Sequence, residues 1–339
     1  MNSGTAMLEA FYEAAGQFVP TAQLAKLLRT PAEKIAIEVA ELEQLGYTIE
    51  AHPHFGYRLL GAPDRLMADD IRARLKSRII GSEILVFEQT ASTNDVVTHM
   101  AKTQPGEGLV VFAESQTKGR GRHGRVWSSP RGKGLWFSVL LRPNLPLSSA
   151  PRITVAASVA VARSTRKTSG LDARIKWPND VTVNGKKVAG ILVETIGCEK
   201  QPQAGTPVPP NQPCIHPSIV LGIGIDVNCR LEDFPPDVAG IASSLEIESG
   251  RQQDRAELAA EVLGALDEYY AAAQKNFDTI IAEWARLSTT LGKQLVVTMG
   301  KRRIEGHAQA LDEDGALLLR KDNGQIERIL GGDVTVERA

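Results

Sequence analysis

The stretch from Gln116 to Trp136, QTKGRGRHGRVWSSPRGKGLW, constrains this chain more than any other. Lys118, Arg120, Arg122, Arg125, Arg131 and Lys133 carry positive charge there, and no acidic residue offsets them. Gly119, Gly121, Gly124 and Gly132 stand among them. Glycine admits positive φ and lets backbone N–H groups come close to a ligand. Arginine presents a planar fork of donors matched to carboxylate and phosphate. The combination describes a mobile cationic loop that folds over an anion. Three readings fit it: a solvated basic loop, a nucleic-acid patch, or a loop that closes over a small anionic ligand. It is not a P-loop, because the Gly-Lys-Ser/Thr ending is missing.

The remainder of the chain narrows the choice. At 339 residues it is long enough for two or three domains. A formal net charge of −1 supplies no global field towards DNA or membrane, so any recognition of a polyanion must be local. No apolar run approaches the roughly 18 residues of a membrane span. The N-terminus, MNSGTAMLEAFYEAAG, lacks a basic n-region and a long apolar h-region, so a cytoplasmic protein with no membrane partner is expected. Cys198, Cys214 and Cys229 form no metal pattern. Cys198 and Cys214 flank a proline-rich insert and could pair, but free thiols of a reducing compartment are the expectation.

The hydrophobic periodicity divides the chain. Residues 1–62 read as three helices followed by a hairpin. Apolar residues fall at helical spacing in Met7-Leu8-Phe11, Leu24-Leu27-Leu28 and Ile35-Val39-Leu42-Leu45. Thr21 is expected to cap the second helix, Pro31 to occupy the first position of the third, and Gly46 to end it. Tyr47–Ala51 and Gly56–Leu60 alternate like paired strands. This is the pattern of a winged helix-turn-helix, with the helix-turn-helix at about 21–45. Residues 63–288 are mixed α/β. Strands are expected at Ile84–Phe87, Leu109–Ala113, Leu135–Leu141, Ala173–Trp177, Val188–Glu194 and Ile219–Ile225, and helices at Ile153–Lys167 and Arg255–Ala273. Within this region, 199–218 holds six prolines and reads as a surface insertion between paired strands. Residues 289–339 return to short alternating strands with turns at Asp314-Gly315 and Asn323-Gly324, the pattern of a small β-barrel. The whole is an α+β chain.

Three further fragments carry candidate chemistry. Lys176-Trp177-Pro178-Asn179-Asp180 follows a strand, and Asn184-Gly185 then signals a tight hairpin. That turn places Lys187 at the start of the returning strand, near Lys176 and Asn179. Ser92-Thr93-Asn94-Asp95 sits after a strand, where Ser92 can cap a helix while the group offers hydroxyl and amide contacts to a ligand. In Gly222-Ile223-Gly224-Ile225-Asp226-Val227-Asn228, alternate glycines within a strand mark the close approach of a ligand or another backbone.

These motifs, in this order and with Trp127 after the Arg/Gly loop, resemble those of biotin protein ligases. With the N-terminal winged helix, the chain resembles the bifunctional bacterial type, biotin–[acetyl-CoA-carboxylase] ligases that also act as biotin operon repressors. The likeness covers essentially the whole chain outside the proline-rich insert. The Arg/Gly loop together with Lys-Trp-Pro-Asn-Asp is highly specific, and either alone is much less so. The resemblance implies a biotin/lipoate-ligase-type catalytic domain and a C-terminal SH3-like barrel. It implies that biotin and ATP, with Mg²⁺, give biotinyl-5′-AMP, and that biotin then passes to one lysine of a biotin carboxyl carrier domain.

By that analogy Ser92, Thr93, Asn94 and Gln116 line a biotin pocket, where the neutral ureido ring needs such donors and acceptors. Arg120, Gly121 and Arg122 order over biotin and the adenylate. Lys187 lies beside the biotin carboxylate and the α-phosphate, making Lys187 and Arg122 the candidate catalytic pair. Arg120, Arg122, Trp127, Lys176, Asn179 and Asp226 are the expected ATP and adenylate contacts, and no residue is assigned to metal. Further implied partners are operator DNA and a second copy of the chain in a homodimer. Two alternatives stay open: a biotin-sensing DNA-binding regulator without ligase activity, and a lipoate ligase, which shares the catalytic fold.

The chain departs from the family pattern in three places. His123 stands where a further arginine is common, and Asp226 where asparagine is common. The helix expected over 32–45, which would read DNA, carries Glu33, Glu38, Glu41 and Glu43 against Lys34 alone. Across residues 1–61, four bases (Lys26, Arg29, Lys34, Arg58) face seven acids, a net of −3. DNA binders draw much of their affinity from basic residues at phosphates.

Overall fold

A computed structural model describes residues 3–103, 106–146, 149–196 and 218–336. Cys198, Cys214 and all of the expected insertion except Ser218 lie outside these residues. Ser218 itself already belongs to a strand. The chain forms two compact units, one of Met1–Lys76 with Asp254–Glu261 and one of Ser77–Gln253 with Val262–Ala339.

The first unit contains α1 (Ser3–Glu13), α2 (Thr21–Leu28), α3 (Ala32–Gln44), the antiparallel pair β1 (Thr48–His52) and β2 (Gly56–Gly61), and α4 (Ala68–Arg74). Most of the helical spacing read from the sequence faces inward, since Met7, Leu8, Phe11, Leu24, Ile35, Val39 and Leu42 share one core, but Leu27 and Leu45, counted in the same stripes, are exposed. Gly46 follows α3 at φ +99°, a conformation that a side chain resists. Two capping expectations are corrected. Pro20, not Thr21, is the N-cap of α2, and Pro31 is the N-cap of α3 and not its first helical residue. Both prolines have φ near −60°, which suits either role, but their ψ values of 138° and 146° are extended and place them outside the helix.

A buried polar cluster ties α1 to α4 in this unit. The Asp70 carboxylate is fully buried and accepts a hydrogen bond from the Tyr12 hydroxyl. Arg74 donates to Asp70 at 3.3 Å, to the Tyr12 oxygen at 2.7 Å and to Asp254 at 2.8 Å, with its guanidinium 4.0 Å above the Tyr12 ring. Burial raises the Asp70 pKa, and Arg74 and Tyr12 offset only part of that rise.

In the second unit β3 (Glu83–Phe87), α5 (Thr93–Met100), β4 (Leu109–Ala113), β5 (Gly134–Leu141), α6 (Ala150–Ser169), β6 (Arg174–Lys176), β7 (Asp180–Val183), β8 (Lys186–Ile196) and β9 (Ser218–Asp226) come first. They are followed by α7 (Leu245–Ser249), α8 (Arg255–Lys275), whose first turns belong to the other unit, and α9 (Phe277–Leu287). The strands form one seven-stranded sheet in the order β3-β4-β5-β9-β8-β7-β6, antiparallel except for the β3–β4 pair.

Strand alternation puts helices on both faces of this sheet. Leu140 and Val220 pack with Val97 of α5. Their chain neighbours Leu141 and Leu221 point the other way, against Ile153, Ala156 and Ala157 of α6. The chain ends in a five-stranded antiparallel sheet of β10 (Gln294–Met299), β11 (Arg302–Leu311), β12 (Leu317–Arg320), β13 (Ile326–Ile329) and β14 (Asp333–Val336).

Arg74→Met should destabilise the fold by about 3 kcal/mol, because it leaves a buried carboxylate without its cation. Urea unfolding at several pH values checks this: the loss should shrink towards acid pH, where Asp70 takes up a proton.

Candidate active site

The site is built on the face of the seven-stranded sheet that α5 covers. The pairings Ser138↔Gly222, Trp136↔Gly224 and Gly134↔Asp226 join β5 to β9, and Glu194↔Val220, Leu192↔Gly222 and Gly190↔Gly224 join β8 to β9. Residues two apart on a strand share a face. Gly222, Gly224 and Asp226 therefore share one face of the sheet with Ser138, Gly190 and Glu194, while Ile223 and Ile225 are buried on the opposite side. The glycines admit two side chains onto the sheet. A Cβ on Gly222 would lie 2.3 Å from Asn94 Oδ1. A Cβ on Gly224 would lie 2.6 Å from the Trp127 indole, and one on Gly190 2.8 Å from the same ring.

Around Asn94 the structure gathers the neutral polar residues. Ser92 is the N-cap of α5, but its hydroxyl makes no capping hydrogen bond. Ser92, Thr93 and Asn94 are all buried. Thr93 donates its backbone N–H to Gln116 Oε1 at 2.9 Å, and Gln116 Nε2 donates to Ser129 Oγ at 3.0 Å. Thr93 Oγ1 lies 2.7 Å from Ser138 Oγ. Ser138 donates to Asn94 Oδ1, and Asn94 Nδ2 donates to Glu194 at 2.7 Å.

The Arg/Gly segment forms a narrow hairpin. Gly121 N–H donates to the Arg125 carbonyl at 2.7 Å and Trp127 N–H to the Gly119 carbonyl at 2.9 Å. A single 3₁₀ turn spans Arg122–Gly124. His123 occupies the left-handed region there at φ 57°, which histidine tolerates better than most side chains. Arg120 is clamped by two carboxylates: Nε and Nη2 contact Glu194 at 3.0 and 2.8 Å, and Nη1 contacts Asp95 at 2.8 Å. The hydrogen bonds that Arg120 donates to Glu194 raise its pKa. Burial pushes the Glu194 carboxyl upwards, but the bonds from Arg120 and Asn94 outweigh it and hold the group below its ordinary value.

The charged half of the site lies along β8 and its turn. Asn184 and Gly185 take φ values of 50° and 80°, the paired positive values of a tight two-residue hairpin. Lys187 thus returns beside Asp180, which it meets at 2.6 Å, with its ammonium 5.1 Å from the Trp127 ring. Lys176 stands opposite Asp180 on β6. Asn179 is fastened to β8 by its amide, which donates to the Ile191 carbonyl at 2.9 Å, and its Oδ1 accepts from Arg122 at 3.1 Å. Gly331 closes against Arg122: a Cβ there would stand 2.9 Å from Nη2. Asp226 is buried, with the Cys229 thiol 3.7 Å from its Oδ1. Burial raises the Asp226 pKa well above the usual range, and the charge of Lys187 opposes that rise only in part.

The sequence-derived residues therefore fall into two adjoining groups, a neutral one of Ser92, Thr93, Asn94 and Gln116 and a charged one of Arg122, Lys176, Asn179, Lys187 and Asp226. Trp127 stands between the glycine floor and Lys187, and the backbone of Gly121 closes the loop hairpin. Sequence reasoning assigned no role to Ser138, Asp180 or Glu194. Among the described residues, no three His, Cys, Asp or Glu side chains cluster as metal ligands. No helix among them is long and apolar enough to cross a membrane.

A mixed α/β sheet with this loop and a C-terminal β-sheet unit defines a class of ligase. Residues 86–206 match the biotin/lipoate A/B protein ligase family and residues 290–336 the biotin protein ligase C-terminal domain. The chain is 32% identical to the bifunctional ligase/repressor BirA of Bacillus spizizenii, over 97% of each. It is 29% identical to the biotin–[acetyl-CoA-carboxylase] ligase of Mycobacterium tuberculosis, over 80% of this chain and 97% of that one. The biotin protein ligase of Aquifex aeolicus, solved with biotin and ATP, matches with a TM-score of 0.62 at 27% identity, over 76% of this chain and 100% of that one. The chain belongs to the biotin protein ligase family, and its likeness to the bifunctional member runs almost end to end.

Asp226→Asn should raise stability at pH 8 by about 1 kcal/mol, since it replaces a buried ionisable group with a neutral amide of the same shape. A raised folded pKa means that the native state holds this proton more tightly than the unfolded chain does. The contribution is fully present below the unfolded pKa and is lost as pH rises through the folded pKa. The advantage of the asparagine variant should therefore grow from pH 5 to pH 8, as read from melting temperatures.

Proposed function

We propose that this chain activates biotin with ATP to biotinyl-5′-AMP and transfers biotin to a single lysine of a biotin carboxyl carrier domain. The observation that carries this reading is the pairing of a neutral, hydrogen-bonding pocket with a cationic patch on one glycine-lined sheet face. A ureido ring needs the first and a carboxylate meeting a phosphate needs the second. Ser92, Thr93, Asn94 and Gln116 bind the ring.

In the first step a biotin carboxylate oxygen attacks the α-phosphorus, an acyl–phosphate bond forms and pyrophosphate leaves. Two anions must approach, and Lys187 and Arg122 offset their repulsion, with Lys176 and Asn179 on the phosphate side. Arg120 and Gly121 belong to the hairpin over the ligand. Trp127 flanks the nucleotide. Its buried Nε1–H has no partner among the described residues and is available as a donor. Asp226 faces the adenine and accepts from its exocyclic amine. In the second step the acceptor lysine amine attacks the acyl carbon, an amide forms and AMP leaves. No covalent enzyme intermediate is required.

Mg²⁺ fits this site as a companion of the triphosphate. Such an ion keeps several waters and takes its remaining ligands from phosphates and one or two carboxylates. Asp180, already beside Lys187, is the carboxylate placed for that role, where the ion would neutralise phosphate charge.

The three helices and hairpin of the first unit are assigned as a winged helix-turn-helix with residues 21–45 as its reading element, and the C-terminal sheet as an SH3-like barrel. Residues 1–62, 63–288 and 289–339 are the corresponding domains. The bifunctional relatives are named ligase/repressor, and operator DNA and a second copy of the chain in a homodimer are the partners we assign to such a role here. If operator binds, Lys26, Arg29, Lys34 and Arg58 are the main candidates for phosphate contact in residues 1–61. The slope of log affinity against log salt should then be no steeper than about −4 per protomer. Filter binding of the biotin-loaded protein at several salt concentrations reads this slope.

Incubation with biotin, MgATP and an apo carrier domain should add one biotinyl group to one carrier lysine, read by mass. Lys187→Ala should lower the rate at least about 100-fold. Arg122→Gly should release the adenylate, so that lysines of bystander proteins become labelled. Lipoate in place of biotin should give no product, and its incorporation would favour the lipoate-ligase reading.

A further inference from the structure

One hydrogen-bonded chain runs from the Arg/Gly hairpin to the floor of the neutral pocket, and its hub is a residue to which the mechanism above gives no part. Arg120 meets Glu194 through two nitrogens, Glu194 meets Asn94, Asn94 meets Ser138, and Ser138 meets Thr93. Thr93 meets Gln116, and Gln116 meets Ser129. Its members come from the loop, β8, α5 and β5.

An ionised carboxylate can only accept hydrogen bonds, and that fixes the direction of the chain. Glu194 accepts from the Asn94 amide nitrogen, so Asn94 Oδ1 faces Ser138. Ser138 has one hydroxyl hydrogen and gives it to Asn94. The single hydrogen of the Thr93 hydroxyl is therefore taken up within the protein, by Ser138 Oγ at 2.7 Å and Gln116 Oε1 at 3.2 Å. What the Thr93 hydroxyl can then offer an incoming ligand is a lone pair, the partner that a ureido N–H requires. At the other end, Glu194 and Asp95 hold both sides of the Arg120 guanidinium, which orients the base of the hairpin.

We propose that Glu194 is a positioning residue that sets the donor–acceptor polarity of the biotin pocket and at the same time fastens the Arg120 hairpin beside it. This deepens the ligase reading and rests on it for the identity of the ligand. The fastening of the hairpin is a property of the protein alone. Glu194 touches no reacting atom. It acts through Asn94 and Arg120.

The test is Glu194→Gln, which keeps the shape but places an NH₂ among the donors of Arg120 and Asn94. In biotin-dependent ATP–pyrophosphate exchange, KM for biotin should rise at least about tenfold, a loss of roughly 1.4 kcal/mol in ligand binding. KM for ATP and kcat at saturating biotin should stay within about twofold. In the ligand-free protein, trypsin should cut after Arg120, Arg122 and Arg125 at least about threefold faster, with cleavage elsewhere unchanged. An unaltered KM for biotin overturns the polarity role, and so does a fall in kcat and melting temperature without a change in KM. An unaltered trypsin rate overturns the fastening role. If the wild-type protein exchanges no pyrophosphate with biotin, it is the ligase reading that fails, and the trypsin comparison alone decides the role of Glu194.

Discussion

The site depends on the approach of two side chains to a bare sheet. Asn94 and Trp127 rest where Cβ atoms of β9 would otherwise stand, 2.3 and 2.6 Å away, so a methyl group at either glycine would force that side chain off the sheet. Because the strand repeats every two residues, the glycines at 222 and 224 fall on one face and the isoleucines at 223 and 225 on the other. One strand thus supplies both a flat ligand floor and a part of the core. Asn94 brings the start of α5 with it, and Trp127 brings the loop hairpin. The neutral and the charged halves of the site meet on this floor.

Much of this architecture could be read from the sequence because its signals are local. The Arg/Gly loop, the Asn184-Gly185 turn and the alternating glycines each declare themselves within a few residues. The helical spacing of Met7, Leu8 and Phe11, and of Ile35, Val39 and Leu42, also identifies buried faces directly. Ser138 and Glu194 gave no such signal. Ser138 is a single small polar residue in an apolar run, and Glu194 comes late in a strand, where a charged side chain ordinarily meets solvent. What joins them is the register of β5 and β8 on the two sides of β9, a non-local property. Asp180 was visible within its motif, but its partner Lys187 is selected by the hairpin between them. The caps at Pro20 and Pro31 stand one residue from where the sequence points, because a proline's φ serves both roles and only ψ separates them.

The first unit is held by chemistry of another kind. Its apolar core is conventional, but Asp70, Tyr12 and Arg74 bury charge where α1 meets α4, at a desolvation cost that the partners of Asp70 offset only in part. Outside that core, the exposed surface of α3 is acidic, with Glu33, Glu41 and Glu43 open to solvent. The same helix also exposes Ile37 at 58%. A surface of this kind repels a polyphosphate more than it attracts one, so fold and electrostatics pull in opposite directions here.

The pairing of β8 with β9 also bears on how such a chain can change over time. Eight consecutive residue pairs, from Ala189↔Ile225 to Ile196↔Ser218, fix the alignment of these strands. A slip by one position would turn Glu194 away from the pocket and bring isoleucines onto the ligand floor. The alignment is therefore set by the strands themselves, and the segment joining them, 197–217, is relieved of that task. Drift in these two strands is confined accordingly: a substitution can be absorbed, but an inserted or deleted residue within either would exchange the ligand floor for the core face.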